Sequence, residues 1–132
     1  MLIVVDPNSG VPVYRQIIEQ IRFQVLSGVL QPGDELPSTR TLSQELGLNP
    51  MTVSKSYGIL EEEGVLDHRP GLSLVVSSRN GDAVERERLD QLETLLEPAI
   101  TAAKQLGVQP AKALGLFRRM LENTNRKPES RK

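Results

Sequence analysis

The chain has no cysteine, a single histidine (His68), and no apolar run approaching the length of a bilayer span within its 132 residues. Each absence removes a class of protein. Without cysteine there is neither a disulfide framework nor a thiolate metal site. Without a long apolar run there is no membrane-spanning helix. The opening residues MLIVVDP are apolar, but Asp6 and Pro7 interrupt them too early for a signal-peptide core, so a cytoplasmic location is expected. No Asp or Glu pair stands at a recognisable catalytic or metal-ligand spacing. Thr52-Val53-Ser54-Lys55 has no neighbouring base or oxyanion site to make a nucleophile of Ser54. An enzyme is not expected, nor a metal or cofactor.

An excess of positive charge is missing too: 16 Lys and Arg stand against 17 Asp and Glu. A DNA-binding surface replaces condensed cations and usually shows as a basic excess. The balance is uneven along the chain, with 5 basic against 9 acidic residues over 1–77 and 11 against 8 over 78–132. Any DNA-binding reading must therefore rest on where the charges lie.

The length suits one main domain with a small appendage. Tyr14, Ile17, Ile18, Ile21, Val25 and Leu26 recur at helical spacing, predicting a helix from about Pro12 to Ser27 that Gly28 ends. In QPGDELP, Pro32-Gly33 fits the centre of a type II turn, with Leu36 as an anchor. Ser38 can cap a short helix through Leu46, with Leu42 and Leu46 inward and Arg40, Ser43 and Gln44 outward. After Gly47-Leu48, Asn49 is a natural N-cap and Pro50 takes the first helical position, where a missing N–H costs nothing. Val53, Tyr57 and Leu60 make the buried stripe of that helix, which leaves Met51, Thr52, Ser54 and Lys55 outside. Val65-Leu66 and Leu74-Val75-Val76 flank an Arg69-Pro70-Gly71 turn as a β-hairpin. Polar residues 79–82 then suggest a flexible boundary.

Beyond it, Leu89, Leu92, Leu96, Ala99, Ala103 and Leu106 trace a coiled-coil-like seam, with a bend or break expected near Glu97 because Pro98 interrupts the helix. Pro110 opens a last helix with Ala113, Leu114, Phe117 and Leu121 on one face. The expected division is 1–78, 79–125 and a flexible tail at 126–132.

Two short helices on a glycine turn, followed by a hairpin, are the parts of a winged helix-turn-helix, whose second helix enters the major groove. Used only for packing, the same parts would make a protein–protein interaction module, which is the alternative. Between Arg40 and Lys55 the only acid is Glu45, whereas Glu61, Glu62 and Glu63 gather at the far end of the second helix. Small polar groups at that helix's start suit phosphate. Asn49, Thr52 and Ser54 can equally cap their own helix, and Lys55 is the stronger phosphate candidate.

The string Tyr14-Arg15-Gln16-Ile17 followed by LQPGDELPSTRTLSQELGLNPMTVSKSYGILEEEGVL resembles the DNA-binding domain of the GntR family of bacterial transcription regulators, over roughly residues 11–77. Asn49-Pro50 and a short two-helix tail resemble its YtrA-like subgroup; the residues after 78 are too few for the large ligand-binding domains of other subgroups. The resemblance implies a mainly α fold with a small hairpin wing and a C-terminal helical dimerisation tail. It also implies a homodimeric, sequence-specific repressor of a nearby operon, often one encoding an ABC transporter, on a near-palindromic operator. The candidate DNA-binding residues are Ser38, Thr39, Arg40, Asn49, Pro50, Met51, Thr52, Ser54, Lys55, Arg69 and Gly71. Arg40 matches the family's DNA-contacting arginine, and Gly71 its wing-tip glycine. His68 and Arg69 are candidates for the wing's positive charge, while Leu72-Ser73-Leu74-Val75 departs from the family's usual Gly-Thr-Phe-Val. The candidate dimer residues are Leu89, Leu92, Leu96, Ala99, Ala103, Leu114, Phe117 and Leu121, part of which can instead pack within one chain. A small-molecule effector, if one acts, is expected between domains or subunits.

Overall fold

Helix α1 (Val13–Leu26) forms where apolar residues recur at spacings of three and four, and it buries Ile17, Ile18, Ile21 and Leu26. The computed structural model describes residues 1–71, 73–79 and 81–126. Among these, α1 is followed by α2 (Thr39–Leu46), α3 (Pro50–Glu62), the strands β1 (Leu66–His68) and β2 (Leu74–Val76), and the helices α4 (Gly81–Leu106) and α5 (Pro110–Arg126). The fold is mainly α with a small antiparallel hairpin. Of the expected flexible tail, Arg126 ends α5 and the rest lies outside the described residues.

An extended arm precedes α1 and is held by a ladder of three glutamines. Gln16, Gln20 and Gln24 stand four residues apart and so share one helix face. Gln20 accepts from Val4 N at 2.9 Å and donates to Val4 O at 2.6 Å; Gln16 does the same for Asp6, at 2.8 Å both ways; Gln24 donates to Leu2 O at 2.8 Å. The side-chain amides thus act as a neighbouring strand would. Because alternate arm residues face opposite ways, this pairing turns Ile3 into the core.

The apolar cluster joins the three helices to the hairpin through Leu36, Leu42, Val53, Tyr57, Leu60, Leu66 and Val76. Strands β1 and β2 pair with Leu66 opposite Val76 and His68 opposite Leu74. The connector before α2 makes its type II turn at Pro32-Gly33, where Gly33 has φ 92° and Asp34 N donates to Gln31 O at 2.9 Å. It then lines the free edge of β2: Gly33 N donates to Val76 O, Val76 N to Asp34 O, and Leu36 N to Leu74 O, each at 2.9 Å. This third strand-like segment was not legible in the sequence, since its partners lie about forty positions away.

Two local expectations are corrected. Ser43 faces inward, not outward; it is buried, and its hydroxyl donates to Arg40 O at 2.9 Å, so a small polar residue enters the core without an unmet donor. Helix α4 continues through Pro98, so of the expected bend or break the break is absent. Pro98 and Thr94, whose carbonyl would have received the missing bond, are both exposed, so water can replace the lost partner. Of the expected boundary at 79–82, Arg79 binds the Glu87 carboxylate through both terminal nitrogens and Gly81 opens α4, while Asn80 lies outside the described residues.

The chain divides into two compact units, Met1–Leu89 and the residues from Asp90 onward. The start of α4 belongs to the first, where Arg88 Nε donates to Leu26 O at 2.9 Å and caps the C-terminal end of α1.

Tyr57 locks α3 to the connector by donating its hydroxyl to Pro37 O at 2.7 Å. Burial, with the charge of Glu45 adding to it, pushes the phenol pKa well above its ordinary value. Tyr57→Phe is expected to destabilise the fold by about 1 kcal/mol at neutral pH. As pH rises through about 10, only the unfolded phenol of the wild type ionises, so wild-type stability falls and the gap between the two proteins narrows. Urea denaturation at a series of alkaline pH values measures that gap.

Candidate nucleic-acid interface

The start of α3 is set by two adjacent residues. Asn49 is extended, and its Oδ1 accepts from Met51 N at 2.8 Å; Pro50 follows at the first helical position. From that start the helix buries Val53, Ser56, Tyr57 and Leu60 and leaves Met51, Ser54 and Lys55 exposed, with Thr52 half-exposed. Helix α2 begins with Ser38 Oγ accepting from Thr41 N at 3.0 Å. Thr39 is half-exposed and Arg40 exposed on its first turn. The α2–α3 turn needs Gly47, which has φ 67°; Leu48 N reaches back to Ser43 O at 2.9 Å and closes the helix end.

Lys55 does not hang free. Its ammonium lies 4.0 Å from the centroid of the Tyr14 ring, a cation–π contact from α3 to the first turn of α1. Val13, Tyr14, Met51, Thr52 and Lys55 line an open cleft of about 390 Å³ there. Ser56 fastens the same two helices, with Oγ 2.9 Å from Thr52 O and 3.1 Å from Tyr14 O. Sequence reasoning placed Tyr14 in the apolar stripe and passed over Ser56. No local signal marks a contact between residues some forty positions apart.

Two of the three acids ending α3 are matched: Glu63 pairs with Arg22 of α1, and Glu61 Oε2 lies 3.1 Å from His68 Nδ1. His68 is therefore drawn to the base of the wing, and does not supply positive charge at its tip. Arg69 and Gly71 are exposed at the tip, and Gly71 turns the chain with φ 77°. Ser73, where the family's pattern is broken, anchors the wing by donating its hydroxyl to Leu36 O at 2.6 Å. Leu72 lies outside the described residues.

The seam residues of α4 stay open to solvent. Among the described residues α4 buries none: Leu92 is 41% exposed, Leu89 and Ala99 are exposed, and Leu96 and Ala103 are half-buried. Leu114, Phe117 and Leu121 of α5 are also exposed, at 70%, 38% and 51%. Neither helix buries any of these residues.

Two helices on a glycine turn, the second with an acid-free N-terminal face, followed by a hairpin wing, have the architecture of a winged helix-turn-helix DNA-binding domain. Residues 13–76 match the family described as bacterial regulatory proteins, gntR family. The chain is 35% identical over 108 residues to the HTH-type transcriptional repressor YtrA of Bacillus subtilis (strain 168), covering 82% of this chain and 83% of that one. Among solved structures it is similar to a GntR family transcriptional regulator from Listeria monocytogenes, with TM-score 0.71 and 26% identity over 85% of this chain and 97% of that one. It is also similar to the AraR DNA-binding domain in complex with operator ORX1, with TM-score 0.50 and 27% identity over 57% of this chain and 93% of that one. The chain belongs to the gntR family of bacterial regulatory proteins, and within it is similar to YtrA.

The capping geometry makes a direct test possible. Asn49→Ala is expected to cost about 1 kcal/mol, and Pro50→Ala to be nearly neutral. Thermal melts that found the reverse order would move the start of α3 and rotate its outward face.

Proposed function

We propose that the protein is a cytoplasmic homodimeric repressor that lays α3 into the major groove of a near-palindromic operator beside the operon it controls, by resemblance one for an ABC transporter. The observation that carries the reading is the acid-free front of α3, where Met51, Thr52, Ser54 and Lys55 face outward and Tyr14 braces Lys55. Thr52 and Ser54 have hydroxyls suited to phosphate or base edges, and the methyl groups of Thr52 and Met51 suit a thymine methyl. Arg40 adds a cation on α2, while Ser38 and Asn49 act through the helix ends that they cap, where free N–H groups favour a phosphate. Pro50 fixes that end, Thr39 flanks Arg40, and Arg69 and Gly71 at the wing tip bring a second contact to the duplex. The operator complex of the AraR domain supports this docking.

Charge placement is tested by Arg40→Ala and Lys55→Ala. Each should weaken operator binding; Arg40→Ala should leave the melting temperature at its wild-type value because its side chain is exposed, and Lys55→Ala should lower it only slightly, by loss of the contact with Tyr14. Each lost phosphate contact should reduce the slope of log affinity against log salt by about one. Gel shifts at several salt concentrations measure both effects, and wild-type binding by both variants would place the interface elsewhere.

With so few cations per domain, useful affinity requires two domains held together, which raises the effective concentration of the second once the first has bound. We assign the pairing to 79–125, through Leu89, Leu92, Leu96, Ala99, Ala103, Leu114, Phe117 and Leu121. An apolar surface of this extent is unusual on a monomer. A two-fold dimer then matches half-sites at a fixed spacing. A chain ending at Leu89 keeps the first compact unit whole, so it should fold as a monomer and bind the operator orders of magnitude more weakly. Leu92→Asp should act in the same direction. Sedimentation with footprinting is the measurement, and a full-length monomer at micromolar concentration would end the dimer reading.

A further inference from the structure

Within Met1–Leu89, on residues that the DNA-reading face does not use, lies a half-open pocket of about 240 Å³. Its apolar wall comes from Val25, Leu30, Val76 and Val84, contributed by α1, the connector, β2 and the start of α4. Its polar groups are Ser77, Arg79, Arg88 and Gln31.

Two of these groups lack a counterpart. Ser77 is 7% exposed; its N–H donates to Val65 O at 3.0 Å, but its buried hydroxyl has no hydrogen-bond partner. Buried hydroxyls are nearly always bonded, so this one offers a hydrogen bond to a water or a ligand atom in the pocket. Arg79 is neutralised by Glu87, whereas Arg88 gives its Nε to a neutral carbonyl, Leu26 O, and pairs with no acid among the described residues. The lining therefore carries one uncompensated positive charge beside an orphan hydroxyl and an aliphatic wall.

We infer that this pocket binds a small monocarboxylate with a short aliphatic or single-ring body, and that the bound acid adjusts operator affinity. The carboxylate bridges Arg88 and the Ser77 hydroxyl, and the apolar body lies against Val25, Leu30, Val76 and Val84. A volume below the roughly 300 Å³ at which pockets for drug-sized ligands begin limits the acid to a few carbons or one ring. Occupancy ties the end of β2 to the first turns of α4, the helix that carries the proposed dimer seam, and so biases the spacing of the two reading helices. That regulatory half rests on the proposed dimeric repressor; the binding half does not.

The test uses the full-length protein with acetate, butyrate and benzoate as probes and chloride as the ionic-strength control. Butyrate or benzoate should shift the amide resonances of Ser77, Val84 and Arg88 saturably and raise the melting temperature, with acetate weaker for want of an apolar body. Ser77→Ala and Arg88→Met should weaken the titration and Val84→Phe, which fills the space, should abolish it, while circular dichroism and acid-free operator affinity stay at wild-type values. Saturating acid should change operator affinity by about fivefold or more. No saturable shift with any of the acids, or an undiminished one in both Ser77→Ala and Val84→Phe, overturns the site. A saturable shift with unchanged operator affinity overturns the regulatory half. If the protein bound no operator at all, the repressor reading would fail, and the amide shifts would still decide the site.

Discussion

Helix α3 is a core element and, in the proposed function, the reading surface as well, and that double duty constrains everything around it. It packs against α1, α2 and β1, so its buried stripe of Val53, Ser56, Tyr57 and Leu60 is what the other elements are built on. With 3.6 residues per turn, fixing that stripe also fixes which residues face outward. Asn49 and Pro50 set where the helix begins, and the Tyr57 hydroxyl on Pro37 O holds it along its length. A change in rotation would bury Lys55 and expose Val53 together, so core packing and recognition cannot drift apart.

Electrostatics solves a different problem in the same helix. The unit has more acids than bases over 1–77, yet two of the three acids that close α3 are engaged by neighbouring side chains. Glu63 is taken by Arg22 and Glu61 by His68, at the end of α3 opposite the front where Lys55 lies over Tyr14. Surface pairs of this kind add little stability. Their value is in position: they draw the negative charge toward α1 and the wing base. Net charge is thus a poor guide to DNA binding in so small a domain.

The two compact units differ in how their apolar residues are used. In the first, α1, α3 and the hairpin close around one cluster, and even the arm is strapped down by glutamine amides. In the second, the part of α4 from Asp90 onward buries nothing and α5 leaves Leu114, Phe117 and Leu121 exposed. Contiguous exposed apolar surface of this kind often marks an interaction site. A second copy of the chain is the occupant that fits the proposed function, because pairing also joins two weak DNA-binding domains.

Much of this was present in the sequence because its causes are local. The stripe of α1, the Ser38 and Asn49 caps, Pro50 at the first helical position, the Pro32-Gly33 turn and the hairpin each follow from residues within one or two turns of one another, and each stands where that spacing put it. The outward set Met51, Thr52, Ser54 and Lys55 came with them, since helical periodicity alone separates it from the core. What tertiary structure decided was every pairing between distant segments. The connector along β2 and Tyr14 beneath Lys55 were of this kind; the inward turn of Ser43, His68 on Glu61, Arg79 on Glu87 and the unpartnered hydroxyl of Ser77 are nearer in sequence but likewise depend on how the folded chain buries and turns them. Pro98 belongs with them, because whether a proline breaks a helix depends on whether the carbonyl it abandons can reach water, and exposure is a property of the folded chain. Local propensity needs only neighbours in sequence, whereas a contact needs neighbours in space, and those exist only once the core has closed.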